Sequence, residues 1–177
     1  MRIIFSDLNK DVIQALETAF SGVDSVTTFC GDIRDVKGDA IVSPANSYGW
    51  MNGGIDAVYL SAFGYQLQVR VQTAIAERYD GFLPVGCALS VHSMGFGPQY
   101  PKYLIVSPTM ETPGDVSSTK NAYLSFLAAL KEARNLAVET LICPGLCSLT
   151  GRMPAMEMAK QMRAAFEGGE KIDALQT

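Results

Sequence analysis

The sequence holds a single histidine, His92, among its 177 residues. A metal site built on several histidines is therefore excluded, and any Ser-His-Asp triad would depend wholly on that one residue. His92 reads as a residue at a strand end, because no triad partners can be identified for it. Long apolar runs are also missing. No stretch approaches the ~20 residues that a membrane span requires. Met1-Arg2-Ile3-Ile4-Phe5 gives way at once to Ser6-Asp7, too short an apolar run for a secretory signal. The expectation is a cytoplasmic protein without membrane contact. The four cysteines, Cys30, Cys87, Cys143 and Cys147, are too few for a disulfide framework. No G-x-G-x-x-G follows a strand and there is no P-loop lysine, which weakens a dehydrogenase or an NTPase reading. Basic charge is scarce as well. A net charge of −4 argues against general nucleic-acid binding, which needs a basic face. It does not exclude an anionic small molecule, since backbone amides hold phosphates without any lysine.

What is present describes a folded chain: 48% apolar and 18% charged residues, a length that suits one domain over residues 1–177. Short apolar runs alternate with amphipathic stretches. Strands are expected at 2–5, 25–30, 40–43, 85–92, 103–107 and 140–143. Helices are expected at 11–20, 54–79 (broken near Gly64), 119–135 and 155–166, with a frayed tail after Gly168. Residues 93–101 read as a loop or hairpin tip between two strands. Strand-helix alternation with that one direct strand-strand connection predicts a three-layer α/β/α sandwich around a central mixed sheet of about six strands.

Ligands of open α/β sheets bind beyond the carboxyl ends of the strands. Two unusual loops occupy such positions, 43–56 and 144–154. Each follows a strand and leads into a helix, so each can offer free amides to a phosphate. Two such loops facing each other can hold a diphosphate.

At these loops the sequence resembles the macrodomain family. The resemblance begins at Gly31-Asp32-Ile33 and continues through Asp39-Ala40-Ile41-Val42-Ser43-Pro44-Ala45-Asn46. It includes Gly53-Gly54-Ile55-Asp56, Ala62-Phe63-Gly64, and Pro144-Gly145-Leu146 with Gly151 and Met153. Order and spacing agree over roughly residues 30–166. Ser43 and Pro44 mark a divergent, macro-like branch. The resemblance implies ADP-ribose or a derivative as ligand, with ADP-ribosylated protein as a further partner. No cofactor is expected, and no metal, because the chain lacks a plausible cluster of histidines and cysteines and backbone amides can carry the phosphate charge. It implies that Asp32, beside Ile33, accepts a hydrogen bond from the adenine amino group. Asn46 would contact the distal ribose. Gly53, Gly54 and Ile55 would line the diphosphate and distal ribose. Gly145, Leu146, Cys147, Ser148 and Gly151 would wrap the diphosphate. Asp56, with Asn46, would be catalytic in members that hydrolyse ADP-ribosyl or O-acyl-ADP-ribose bonds, orienting a water or the distal ribose.

Plainer readings stand beside these. Asp32 can cap a turn, and Asn46 can bond its own loop backbone. A carboxylate in a first helical turn, such as Asp56, is favoured by the helix dipole alone. Cys147 reads as a small, partly buried thiol. Trp50 can stack on a ligand or cover the core edge. The chain also departs from the family pattern. Leu60 stands where a histidine is frequent, Cys147 and Leu149 where glycine is frequent, and Gly151 where an aromatic residue is frequent. Three functions stay open: an ADP-ribosyl hydrolase, a non-catalytic ADP-ribose sensor, and a structural protein that has lost its ligand. The retained Asp32, Asn46 and Gly53-Gly54 argue against the third.

Overall fold

The computed structural model describes residues 1–93 and 101–174. Six short strands form its sheet: β1 (Arg2–Asp7), β2 (Val26–Cys30), β3 (Ala40–Ser43), β4 (Leu89–His92), β5 (Tyr103–Val106) and β6 (Thr140–Cys143). Their order across the sheet is β2-β1-β6-β3-β5-β4. All neighbours pair in parallel except β4, which runs antiparallel to β5 with Leu89 opposite Val106 and His92 opposite Tyr103. The central strands are apolar on both faces, as a sheet covered on both sides requires. The expected mixed sheet of six strands is therefore the sheet that forms.

Alternation along each strand divides the apolar residues between two cores. Ile3, Phe5, Val42, Ile105 and Leu141 face one side. They pack there against α1 (Lys10–Ala19), α4 (Asn121–Asn135) and α5 (Ala155–Ala174). Ile41, Leu104, Val106 and Ile142 face the other side. They meet Tyr59 and Phe63 of α2 (Gly54–Phe63), with Leu67, Val71 and Ile75 of α3 (Gln66–Tyr79). The α2–α3 break falls at Gly64, whose φ is 81°.

Two expectations need correction. Strand β4 begins at Leu89 and not at Val85, because Cys87 N–H closes a turn onto the Pro84 carbonyl at 3.0 Å. The chain does not fray after Gly168, since α5 continues to Ala174. Gly169 lies against the Arg134 guanidinium, whose Nη1 is 2.9 Å from the place a β-carbon would occupy, where α5 packs along α4. A tertiary contact thus overrides the weak helix preference of a glycine pair. Of the expected 93–101 loop, residues 94–100 lie outside the described residues.

Phe126 is fully buried in the first core, 5.6 Å from Phe5 between ring centroids. Phe126→Ala removes that packing and leaves a cavity. It should cost about 3–5 kcal/mol of unfolding free energy, measured by urea titration.

Candidate functional site

A cleft of about 730 Å3 opens past the carboxyl ends of the parallel strands. Its lining comes from the ends of β1 and β2 and from the segments after β3, β5 and β6. Because β3 and β6 are neighbours at the centre of the sheet, their two loops stand side by side. Of the residues singled out from sequence, Asp32, Ile33, Asn46, Gly53, Gly54, Ile55, Asp56, Gly145, Cys147, Ser148 and Gly151 all line this cleft. Leu146 does not: it is fully buried in the first core.

The loop after β3 is shaped by Asn46. Its Oδ1 accepts from Tyr48 N–H at 3.1 Å and Trp50 N–H at 3.2 Å, and its Nδ2 donates to the Trp50 carbonyl at 2.8 Å. An Asn side chain has two N–H donors, so one remains for a ligand. Trp50 lies on the rim, half-exposed, with its ring stacked on Tyr48 at 4.9 Å and 15°. The loop ends at Gly53, the N-cap of α2. Gly54 adopts φ 55°, a left-handed conformation that glycine takes without steric cost, and only Thr150 Oγ1 comes near the place a β-carbon would occupy.

The loop after β6 folds back on itself. Met153 N–H donates to the Cys147 carbonyl at 2.9 Å, and Val116 N–H to the Gly151 carbonyl at 3.0 Å. A β-carbon at Gly151 would sit 2.6 Å from the Cys147 carbonyl oxygen, so this turn excludes any larger residue. Cys147 itself takes φ 62°, the conformation glycine would favour, although it is not glycine. Its thiol is buried, and that burial pushes it up to about 12, which keeps it protonated and unreactive.

The backbone amides of these loops carry the chemistry. Among the described residues, no N–H from Asn52 to Asp56 donates a hydrogen bond, and none from Cys147 to Gly151 does. Two runs of free donors therefore border one cleft. The first coincides with the amino end of α2, where the helix dipole adds positive potential.

The cleft also gathers three carboxyl groups and one guanidinium: Asp7, Asp32, Asp56 and Arg34. Asp7, at the end of β1, accepts from Asn9 N–H at 2.9 Å and Gly145 N–H at 3.2 Å, tying the second loop to β1. Asp32 caps a short 3-10 turn (Ile33–Asp35) by accepting from Arg34 N–H at 2.9 Å. The Arg34 side chain also holds both of its oxygens, and these hydrogen bonds pull the carboxyl down to about 2. The turn-capping reading of Asp32 is thus realised, and an adenine N–H would share this carboxylate with Arg34.

Asp56 is different. It is 6% exposed in the first turn of α2, and its Oδ1 accepts from Ser43 Oγ at 2.6 Å. Tyr59, one helical turn on, gives its hydroxyl to the Val42 carbonyl at 3.0 Å. No described Lys or Arg pairs with Asp56. Burial raises its carboxyl from 3.8 to about 7, with the Ser43 hydrogen bond pulling the other way. Asp7, Arg34, Ser43 and Thr150 were not singled out as site residues from sequence. For Asp7 the reason is distance, since its partner Gly145 lies 138 residues away, whereas Arg34 pairs with Asp32 only two residues before it and no motif marked it.

Sheet order, loop placement and cleft together define a class, an α/β sandwich with an amide-bordered cleft past its parallel strand ends. The Macro domain profile matches residues 42–162, more than half of the chain. An uncharacterised protein of Aeropyrum pernix is 30% identical over 135 residues, covering 76% of this chain and 67% of that protein. Among solved structures, the macrodomain of Mycobacterium tuberculosis DarG is similar with a TM-score of 0.66 at 19% identity, covering 78% of this chain and 87% of that one. A variant of the Oceanobacillus iheyensis macrodomain, solved with ADPR, has a TM-score of 0.66 at 18% identity, covering 77% and 73%. The chain belongs to the macrodomain family.

Ionising a buried carboxyl costs stability. Asp56 keeps its proton in the folded state up to about 7, whereas an unfolded Asp loses it near 3.8. Its contribution is therefore fully present below 3.8 and is lost as pH rises to about 7. Asp56→Asn keeps an acceptor for Ser43 and never ionises. It should stabilise the fold by ~2–4 kcal/mol at mildly alkaline pH and have no such effect in acid, as read from denaturant midpoints at the two pH values.

Proposed function

We propose that the cleft binds ADP-ribose or an ADP-ribosyl derivative, with its diphosphate between the two loops. The observation that carries this reading is the pair of unpaired amide runs, Asn52–Asp56 and Cys147–Gly151, on either side of one cleft. Peptide N–H groups without internal acceptors suit phosphate oxygens, and with no lysine lining the cleft they are its main positive potential. The Oceanobacillus iheyensis protein of the same fold, solved with ADPR, supports the choice of ligand. In this reading Asp32 meets the adenine amino group, the free N–H of Asn46 reaches the distal ribose, and Trp50 flanks it.

Asp56 favours hydrolysis as a second reading. A carboxyl poised at about 7 and lining the cleft suits proton transfer at neutral pH. It would exchange a proton with a water attacking an ADP-ribosyl or O-acyl bond at the distal ribose. Without turnover the same cleft is a sensor for the same ligand.

Calorimetry with ADP-ribose tests the binding reading. Gly54→Glu strains a left-handed backbone and puts a negative side chain among the phosphate donors, so binding should vanish while the fold persists by circular dichroism. Asp32→Ala should weaken binding by about 1.5–3 kcal/mol, as expected for a hydrogen bond to a charged group. The inosine analogue, which lacks the amino donor, should bind the wild type poorly. Equal affinity for the two nucleotides would reduce Asp32 to its turn-capping role. For the hydrolase reading, single-turnover assays on mono-ADP-ribosylated protein and O-acetyl-ADP-ribose should show Asp56→Ala slowed by about 100-fold or more. Unchanged turnover would remove Asp56 from the chemistry.

A further inference from the structure

The cleft poses an electrostatic problem for an anionic ligand, and Ser43 and Asp56 bear on it. Asp32 is neutralised by Arg34, whose guanidinium holds both of its oxygens. Asp7 is turned to backbone, accepting the amides of Asn9 and Gly145. Asp56 is buried, with one hydroxyl partner and no described cation. A diphosphate seated on the amides beside it would place fixed negative charge next to that carboxyl. Like charges sharing a poorly solvated site do not both persist, and the group that can take up a proton does so.

We propose that Asp56 takes up a proton when a diphosphate ligand enters the cleft, and that Ser43 is the positioning residue that holds the carboxyl for this exchange. The inference rests on the diphosphate reading of the cleft. It adds that the ligand-bound state carries Asp56 as a neutral acid, able to donate a hydrogen bond or a proton toward the ligand. Serine suits the task because its hydroxyl donates to the ionised carboxylate and accepts from the neutral acid. Ser43 is itself 1% exposed and not part of the cleft lining, so it acts through Asp56 and not on the ligand.

The surrounding groups leave Asp56 to respond alone near neutrality. Tyr59 on α2 and Cys143 on β6 are pushed well above their ordinary values by burial. Cys147, after β6, is pushed up to about 12. Asp32 is held down at about 2 by Arg34. The diphosphate of ADP-ribose is fully ionised throughout the neutral range. In the free protein Asp56 loses its proton at about 7, and the bound ligand moves that loss to higher pH. Affinity is therefore greatest below about 7 and declines above it.

The test is calorimetric titration of the full chain with ADP-ribose from about pH 6 to about pH 9, in buffers of different ionisation enthalpy, with unfolding curves on every variant. The wild type should take up a proton on binding and lose about tenfold or more in affinity across the range, the equivalent of at least one pKa unit. Asp56→Asn should show neither proton uptake nor that decline. Ser43→Ala removes the hydrogen bond that holds the carboxyl down, so its uptake should centre at higher pH, and Ser43→Thr should restore the wild-type profile. Wild-type binding with equal affinity at both ends of the range would overturn the proposal and leave the ADP-ribose reading intact. Proton uptake that persists in Asp56→Asn would overturn it as well. Absence of binding at every pH would remove the ligand reading, and this proposal with it.

Discussion

A peptide N–H that finds no acceptor in its own chain must turn to solvent or to a ligand. This protein concentrates such groups in two places, at the start of α2 and along the loop after β6. Much of the surrounding structure holds those two places open. Adjacent pairing of β3 and β6 brings the loops together. Asn46 spends most of its side chain folding the first loop, and Asp7 anchors the second to β1. The Met153–Cys147 hydrogen bond closes the second loop. Several side chains that resemble ligand contacts in the sequence thus shape the loop backbone, whose free amides border the cleft.

The balance of charge follows from that arrangement. The cleft is bordered by free amides, and its lining contains more carboxyl groups than cations. Each carboxyl is managed differently. One is matched by a guanidinium, one is directed at backbone N–H groups, and one is buried under a serine hydroxyl. The last has no described cation beside it. An overall charge of −4 is accordingly no obstacle to holding an anion.

The legible parts of the fold were those set by local pattern. Strands β3 and β6 fall where the apolar runs at 40–43 and 140–143 placed them, and Gly64 divides the long helical stretch as its position suggested. The misplaced boundaries had different causes. A local turn from Pro84 to Cys87 shortened β4, whereas α5, packed along α4, continues past the point where glycines usually stop a helix. In the site, motif spacing located the two loops and nearly all of their lining, with Leu146 the exception, drawn into the core. The pairings were not legible. The link from Asp7 to Gly145 depends on which strands are neighbours, and strand order is not a local property, while the burial of Asp56 beneath Ser43 depends on how the intervening loop returns α2 to the end of β3.

Trp50 is the only tryptophan in the chain, and it sits at the rim of the cleft with its ring against Tyr48. Indole emission from this protein therefore originates at the mouth of the cleft and not in either core. The indole's environment is set by the half-exposed rim and the stacked Tyr48 ring. A ligand that covers the ring or displaces it from Tyr48 changes the brightness directly. Without any label, the protein carries an optical reporter placed at the mouth of its cleft.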